Sequence, residues 1–140
     1  MRLNDSLFPP DRDPYQDLQT ARARAVRENK NILLELGADW CVWCHRLESF
    51  ITSHSELHLL RSQSYVHMRI YVGDGESSSE ICQHLPSFDG VPHYFVFNAE
   101  GKLLHSQDTS PLEDGESYSY EKVWEFLSMW GDKDSKGLLH

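Results

Sequence analysis

Apolar residues recur with two different periods along the chain, and each change of period marks a predicted element. Asp13-Pro14 predicts the start of a helix, because Asp accepts hydrogen bonds from free N–H groups and Pro fits the first helical position. Apolar residues follow at helical spacing from Leu18 to Ala25, and Asn29 is predicted to end this helix. An amphipathic helix is therefore expected to open the ordered part of the chain.

Three short segments have the composition and spacing of β-strands. Residues 31–37 form an apolar run that ends at a glycine, which predicts a buried strand. Residues 65–72 alternate apolar and polar side chains, as a half-buried strand does. Residues 92–97 predict a third strand, and the turn residues 98–101 are expected to return the chain through a hairpin into residues 102–106.

Helical spacing returns between and after the strands. A helix is predicted to follow residue 41, with an apolar stripe made of Trp43, Leu47, Phe50 and Ile51. Residues 73–79 are expected to be a loop that leads into a short helix over residues 80–85. Residues 108–118 predict an acidic loop, and the last helix is expected over residues 119–130 with an inner stripe made of Val123, Phe126, Leu127 and Trp130.

The predicted order of elements is α-β-α-β-α-β-β-α, which favours an α/β fold. Strands separated by a helix are joined by right-handed crossovers, so the first two strands should be parallel. The final hairpin adds an antiparallel strand, which predicts a mixed sheet of about four strands with helices on both faces. We expect one domain over residues 13–131, between a flexible arm at residues 1–12 and a flexible tail at residues 132–140.

The charge of the chain narrows the range of partners. The 140 residues carry a formal net charge of −9, which argues against a nucleic acid or an anionic membrane because phosphate groups would be repelled. No apolar run reaches the roughly 18 to 20 residues that a membrane span needs, so no membrane insertion is expected. We expect a monomer. The polar N-terminus lacks the features of a secretory leader, which favours the cytoplasm, with the periplasm as the alternative if a leader was removed.

Three cysteines are too few for a disulfide scaffold, and their spacing divides them into a pair and a single residue. Cys41 falls where a buried strand gives way to a helix, so free N–H groups and the helix dipole should favour its thiolate. Cys44 lies one turn inside the helix, close enough to form a disulfide with Cys41. Cys82 is expected to be a buried structural residue, with a third redox partner as the alternative.

These features together resemble the thioredoxin superfamily over residues 13–131. The matching segments are Gly37-Ala-Asp-Trp-Cys-Val-Trp-Cys44, Gly90-Val91-Pro92, the strand at 93–97 and the final amphipathic helix. The sequence is most similar to bacterial thioredoxin-like proteins whose helix opens with WCxWCH, here residues 40–45. The resemblance implies a thioredoxin-like fold and a thiol–disulfide oxidoreductase in which Cys41 is the nucleophile and Cys44 resolves the mixed disulfide.

An oxidoreductase of this kind requires partners and has a direction of electron flow. The expected partners are protein disulfide substrates and an upstream thiol electron donor. We expect a reductase rather than an oxidase or isomerase, although Val42-Trp43 matches neither the Gly-Pro of thioredoxin nor the Pro-His of strong oxidants. No metal and no organic cofactor are expected, because the chain has neither a full ligand set nor a phosphate-binding glycine-rich loop.

Five residues are expected to bind the substrate: Trp40, Trp43, Val91, Pro92 and His93, of which Trp43 and His93 depart from the residues usual in thioredoxins. In the family the proline that faces the CxxC is normally cis, and the backbone beside it pairs with the substrate and keeps metals off the thiols; a simple strand-entry proline is the alternative. Trp43 is expected either in the core or as a partly exposed substrate platform. An imidazolium at His45 or His93 would stabilise the thiolate; for His45, a surface residue without a role is the alternative.

Glu35 is the polar exception in the apolar strand over residues 32–36. The family often has a buried carboxylate at this place, usually Asp, that relays a proton to the second cysteine. Burial should raise the pKa of Glu35, which suits a proton acceptor for Cys44 near neutral pH. A solvated Glu that faces an edge of the sheet is the alternative.

Two other classes of function remain open at this point. Cys41, Cys44, His45 and His93 could bind Zn or Cu(I), since thiolates and imidazoles suit both metals. The remaining alternative is a redox-inert binding module with a thioredoxin-like fold, which would have no need to retain both cysteines.

Overall fold

The fold is that of a computed structural model, which describes residues 6–72 and 79–131, the side chains of 79 and 80 excepted. Its helices and strands, in chain order, are α1 (Pro14–Glu28), β1 (Asn31–Gly37), α2 (Val42–Ser53), α3 (Ser55–Ser64), β2 (Tyr65–Tyr71), α4 (Ser79–Cys82), β3 (His93–Phe97), β4 (Leu103–Asp108), β5 (Glu113–Asp114), β6 (Ser117–Tyr118) and α5 (Tyr120–Gly131). The tail at 132–140, the first five residues of the arm and most of the loop at 73–79 lie outside the described residues.

The predicted first helix is confirmed together with both of its ends. The Asp13 carboxylate accepts hydrogen bonds from the backbone N–H groups of Tyr15 and Gln16, at 3.0 and 3.4 Å. At the other end Asn29 adopts the left-handed conformation with φ 57°, and its N–H donates to the Ala25 carbonyl. Asn tolerates this conformation better than most residues because its short polar side chain can bond locally.

The predicted mixed sheet of four strands is also confirmed. Its strand order is β2-β1-β3-β4, with β1 parallel to β2 and β3 antiparallel to both β1 and β4. In this register Glu35 lies opposite Arg69 on one side and Tyr94 on the other. The most polar position of the central strand therefore has an arginine as its cross-strand neighbour.

Alternation along the strands creates a core on each face of the sheet. The face covered by α2, α3 and α5 contains Leu33, Leu47, Ile51, Leu57, Tyr65, Tyr94, Val96, Val123, Phe126 and Leu127. The face covered by α1 and α4 contains Ala21, Ala25, Ile32, Leu34, Leu36, Val66, Met68, Ile70, Ile81 and Phe95. We refer to these as the α2 face and the α1 face.

Two regions contain more structure than the sequence analysis predicts. The helix after Cys41 ends at Ser53, and a separate helix begins at Ser55, because the extended backbone of His54 breaks the run. The side chains of Ser53 and His54 both bond the Phe50 carbonyl, so they compete with the helical backbone bonds there. In the acidic loop, a 3₁₀ turn over Ser110–Leu112 leads into the small β5–β6 hairpin.

The arm before α1 differs from the flexible segment expected at residues 1–12. Within its described part, Phe8 is fully buried and packs against Cys41 and Cys44. The backbone N–H groups of Leu7 and Phe8 donate to the Asp39 carboxylate, at 2.8 and 3.3 Å. One aromatic side chain and one carboxylate thus hold this part of the arm against the domain.

Candidate functional site

Cys41 occupies the N-cap position of α2, at the end of the loop that leaves β1. Its backbone is extended, and its sulfur accepts a hydrogen bond from the Cys44 N–H at 3.1 Å. The Cys41 thiol in turn faces the Val91 carbonyl, with sulfur and oxygen 3.7 Å apart. Cys41 is 5% exposed and Cys44 is fully buried, so only Cys41 has surface that solvent can reach.

The segment that faces Cys41 contains a cis peptide bond between Val91 and Pro92, as the sequence predicts. Pro92 is buried, and its carbonyl accepts a hydrogen bond of 2.6 Å from the Thr109 hydroxyl. Thr109 is itself buried, so the contact anchors this segment from inside the molecule. Because β3 begins only at His93, the Val91 carbonyl lies before the ladder and faces the cysteine.

Apolar side chains are exposed around the Cys41 end of the pair. Trp40 and Val42 keep 65% and 58% of their surface, which is high for large apolar residues. Trp43 is half-buried: its ring meets Tyr118 edge-on at 5.4 Å, and the Arg46 guanidinium lies 4.7 Å from its centre. Trp43 thus lies partly in the core and partly at the surface.

The two histidines expected beside the pair have different surroundings. His45 is exposed, and its Nε2 lies 2.7 Å from the Asp39 carbonyl. His93 is buried on the α1 face beside Phe88 and Phe95, with its Nε2 2.8 Å from the Ser106 hydroxyl. Burial lowers the pKa of His93, which favours the neutral ring. The buried, neutral ring does not favour the imidazolium expected at His93, and substrate binding by this residue stays a prediction.

Glu35 is buried on the α2 face, so the alternative of a solvated edge residue is excluded. Its carboxylate accepts a hydrogen bond of 2.7 Å from the His67 Nε2 and another of 3.3 Å from the Arg69 Nε. Arg69 also binds Glu48 of α2, which pairs with Arg61 of α3 at 2.9 Å. Alternating charges thus link the central strand to two helices.

The electrostatics of Glu35 correct one expectation. Burial by itself would raise the pKa of this carboxyl, but the hydrogen bond from His67 and the positive charges of Arg69 and Arg61 outweigh it. The pKa of Glu35 therefore lies below its usual value, and the group is ionised at neutral pH. Burial lowers the pKa of His67, so its ring is neutral there and donates to the carboxylate.

Cys44 is held in its protonated form by its surroundings. Burial is the largest cause of its raised pKa, and the neighbouring Cys41 sulfur and the negative charge of Glu35 act in the same direction. A thiol in this state is a poor first nucleophile, because the thiolate is the reactive form. The environment thus separates the two cysteines chemically as well as by access.

With this geometry established, comparison with known proteins identifies the family. The family model described as thioredoxin-like matches residues 13–99. This chain belongs to the thioredoxin-like family. The thioredoxin-like match extends from the start of α1 past the cis-proline to the end of β3, so it includes both cysteines.

Similar proteins and solved structures agree with this assignment. The thiol:disulfide interchange protein DsbD of Colwellia psychrerythraea is 24% identical over 97 residues, or 69% of this chain. The chain spans 16% of the length of that curated relative. A disulphide isomerase from Xylella fastidiosa Temecula1 superposes with a TM-score of 0.77 at 25% identity, covering 91% of this chain and 98% of that one. The structure of the reduced C-terminal domain of DsbD from Neisseria meningitidis superposes with a TM-score of 0.63 at 19% identity. The superposition covers 83% of this chain and 96% of that domain, and at this identity it supports the fold alone.

The sequence analysis missed five residues that contact the pair, Glu35 or its partners: Phe8, Glu48, Arg61, His67 and Arg69. It quoted Gly37 and Asp39 in the matching segment but did not predict their contacts with Phe8. Two signals were available. Phe8 is a large apolar residue in an otherwise polar arm, and Arg69 occupies a polar position of a strand next to the one that carries Glu35. The contacts themselves join segments distant in the sequence, so no local pattern reveals them.

The third cysteine, Cys82, lies apart from the redox pair. Cys82 is half-buried against the core of the α1 face, in a different cluster from Cys41 and Cys44.

Within residues 6–72 and 79–131, no group of three or more His, Cys, Asp or Glu side chains is placed to hold a metal ion. Of the four residues considered for a metal, Cys41 and Cys44 are in contact, but the described residues do not add a third ligand to them. No helix in the same ranges is long and apolar enough to cross a membrane.

Proposed function

We propose that this chain is a thiol–disulfide oxidoreductase that works through Cys41 and Cys44. The Cys41 thiolate attacks one sulfur of a substrate disulfide, forming a mixed disulfide and releasing the other substrate sulfur as a thiolate. Cys44 then loses its proton and attacks the Cys41 sulfur, which releases the second substrate thiolate and leaves a Cys41–Cys44 disulfide. The substrate gains two electrons and the pair loses two.

The placement of Cys41 supports this proposal most strongly. Its sulfur is the N-cap group of a twelve-residue helix and accepts the Cys44 N–H, which is the kind of donor that stabilises a thiolate. Cys44 lies one turn further along, buried and with a raised pKa. These surroundings favour Cys41 as the cysteine that attacks the substrate disulfide and Cys44 as the one that resolves the mixed disulfide.

The exposed surface around Cys41 supports a protein substrate. Trp40 and Val42 supply apolar surface next to the thiol, and a groove of about 460 Å³ begins at Val42 and runs along α2 past Arg46 and Phe50. An extended substrate segment could lie on this surface, with its backbone beside Val91. Trp40, Trp43, Val91, Pro92 and His93 are retained as proposed substrate-binding residues.

The direction of electron flow and the partners are part of the proposal. We infer a reductase that takes electrons from an upstream thiol donor and passes them to protein disulfides; the monomeric state remains a prediction. The periplasmic alternative fits the relatives better than the cytoplasmic expectation, because the protein disulfides that interchange and isomerisation act on form and persist in oxidising compartments. Equilibration of the pair with glutathione buffers tests the direction, since a potential above that of glutathione would make the protein an oxidant.

Trapping of reaction intermediates tests the roles of the cysteines. Cys44→Ser should accumulate mixed disulfides with protein substrates, because nothing resolves the Cys41 adduct, whereas Cys41→Ser should accumulate few. Cys82→Ser is the matched control and should trap no more than the wild-type protein. Equal trapping by the Cys41 and Cys44 variants would contradict the assignment.

The proton relay expected of Glu35 stays a prediction, and the lowered pKa removes the reason first given for it. We propose that Glu35 acts on Cys44 through its charge, which helps to keep that thiol protonated. Single-turnover rates of the resolving step for the wild type and Glu35→Gln, measured across neutral pH, separate the two roles. A relay predicts slower resolution in the variant, whereas the charge effect predicts faster resolution throughout this range, because a lower Cys44 pKa raises the thiolate fraction of that residue.

A further inference from the structure

The covering of Cys44 comes from a segment outside the matched family region. Phe8 lies before residue 13, where the family match begins, yet it is fully buried and shares one cluster with Cys41 and Cys44. Cys44 has no exposed surface of its own. The burial of the resolving thiol is therefore due in part to the N-terminal arm.

Gly37 marks how closely the ring approaches the thiol. A Cβ atom at this position would lie 2.5 Å from the Cζ of Phe8 and 2.8 Å from the Cys44 sulfur. Both distances are far below van der Waals contact, so the ring and the sulfur occupy the space that a side chain would fill. Gly37 thus lets Phe8 lie against the β1 backbone directly beside Cys44.

Asp39 holds this segment in place and connects it to the loop that carries Cys41. Its carboxylate accepts hydrogen bonds from the Leu7 and Phe8 N–H groups and from the Ser6 hydroxyl. Its own carbonyl meets the His45 ring at 2.7 Å. The pKa of Asp39 lies below its usual value because these donors and the His45 charge outweigh partial burial, so the acceptor is ionised at neutral pH.

The Phe8 ring also lies beside the charged side chains of the α2 face. The Arg69 guanidinium lies 5.5 Å from the ring centre, in the range of a cation–π contact. Arg69 is also bound to Glu35 and Glu48. The ring therefore packs against both the Cys44 thiol and the arginine of the charged network.

We propose that Phe8 is a positioning residue for disulfide exchange: residues 6–8, held by Asp39, form a latch that covers Cys44 and leaves Cys41 as the cysteine open to a substrate disulfide. The latch rests on the proposed function, because it decides which thiol of the pair is attacked first. It acts by excluding reagents and water from Cys44, and Phe8 takes no part in bond making or breaking.

The test uses the full chain with Cys44 as its sole thiol, in a Cys41→Ser, Cys82→Ala background. The measured quantity is the rate of Cys44 modification by iodoacetamide and of mixed-disulfide formation with glutathione disulfide. Phe8→Ala should raise both rates about tenfold, since thiol reactivity follows exposure and thiolate fraction. Asp39→Ala keeps the Phe8 ring but removes the hydrogen bonds that fix residues 6–8, so it should raise both rates by a smaller factor. Phe8→Leu should restore most of the cover.

Two comparisons separate local uncovering from general loss of stability. Phe97→Ala removes a half-buried phenylalanine from the α1 face, far from the latch, and should leave the Cys44 rates near those of the background. Low urea should change the Phe8→Ala rates little, because uncovering the thiol requires no global unfolding. Unchanged rates in Phe8→Ala would overturn the proposal, as would equal increases in Phe8→Ala and Phe97→Ala that both rise with urea. Alkylation by iodoacetamide involves no disulfide exchange, so this rate can fail independently of the trapping experiment.

Discussion

His93 and Glu35 lie on opposite faces of the sheet and are buried with different kinds of partner. On the α1 face His93 is buried among aromatic rings with one hydroxyl partner, and its Nδ1 has no hydrogen-bond partner. On the α2 face Glu35 is buried with two partners, and Arg69 extends the network to Glu48. The network lies on the face that carries the redox pair, and its charge reaches Cys44.

This difference indicates what each face contributes. An apolar face stabilises the fold through burial and close packing. A polar side chain on such a face is fixed mainly by van der Waals contacts with the apolar side chains around it. A charged face can also set the protonation state of a nearby group, provided that each buried charge has a partner. The α2 face meets this condition, because Glu35 has both a neutral donor and an arginine.

The largest effect is expected from breaking the charged network. Glu35→Gln leaves Arg69 and Arg61 with less compensation, and removing one partner of a buried ion pair typically lowers the free energy of unfolding by about 3 kcal/mol. Ile32→Val, at the α1 face of the same strand, should lower it by only about 1 kcal/mol. Urea unfolding of both variants measures the contrast. A stability equal to or above that of the wild type in Glu35→Gln would mean that the network does not stabilise the fold.

A smaller effect is expected from crowding the thiol side of β1. Gly37→Ala places a methyl group against Phe8 and the Cys44 sulfur, and such overpacking should lower the free energy of unfolding by about 2 kcal/mol. Gly90→Ala is the matched control, because nothing lies within 4 Å of its Cβ position, and it should change stability by less than about 0.5 kcal/mol. Similar values for the two glycines would refute the close packing at Gly37.

The third cysteine provides a comparison within one residue type. Cys82→Ala on the α1 face should leave disulfide exchange near the wild-type rate and lower the free energy of unfolding by about 1 kcal/mol through lost packing. The reduction of a model protein disulfide measures the first quantity, and urea unfolding the second. A large loss of activity with unchanged stability would place Cys82 in the redox mechanism.

The smallest effect concerns pH. Because the folded state lowers the pKa of His67 below 6.5, the unfolded state binds more protons just below that pH, and stability is lost as the pH falls. The contribution is fully present above pH 6.5. His67→Gln should therefore flatten the dependence of the free energy of unfolding on pH between 7.5 and 5.5. Curves with the same slope for both proteins would remove His67 from this dependence.

The fold follows from patterns that are local in the sequence, and these were sufficient for its prediction. Asp13-Pro14 and Asn29 mark the ends of α1 by their own chemistry, and the alternation over β2 assigns a face to each of its residues. The break at His54 was missed because it depends on side chains that bond the backbone of the preceding turn, and the surrounding apolar spacing still favours one continuous helix.

The candidate site could be predicted only in part. Cys41, Cys44 and Pro92 are visible as motifs, and their placement agrees with the prediction. The pKa of Glu35 was predicted in the wrong direction because burial was considered without the cations that the adjacent strand and α3 supply. Phe8 could not be placed, since its contacts with Cys44 span more than thirty residues of chain and depend on the absence of a side chain at Gly37.

The outer strand β4 affects whether the sheets of two copies of the chain can join edge to edge. An edge strand presents unpaired backbone groups to which another sheet could add by hydrogen bonding. Here the strand carries His105, Gln107 and Asp108, and its pairing with β3 is interrupted by an irregularity between Val96 and Phe97. Polar side chains and an irregular register both oppose the addition of a further strand, so this end of the sheet resists growth into a fibre.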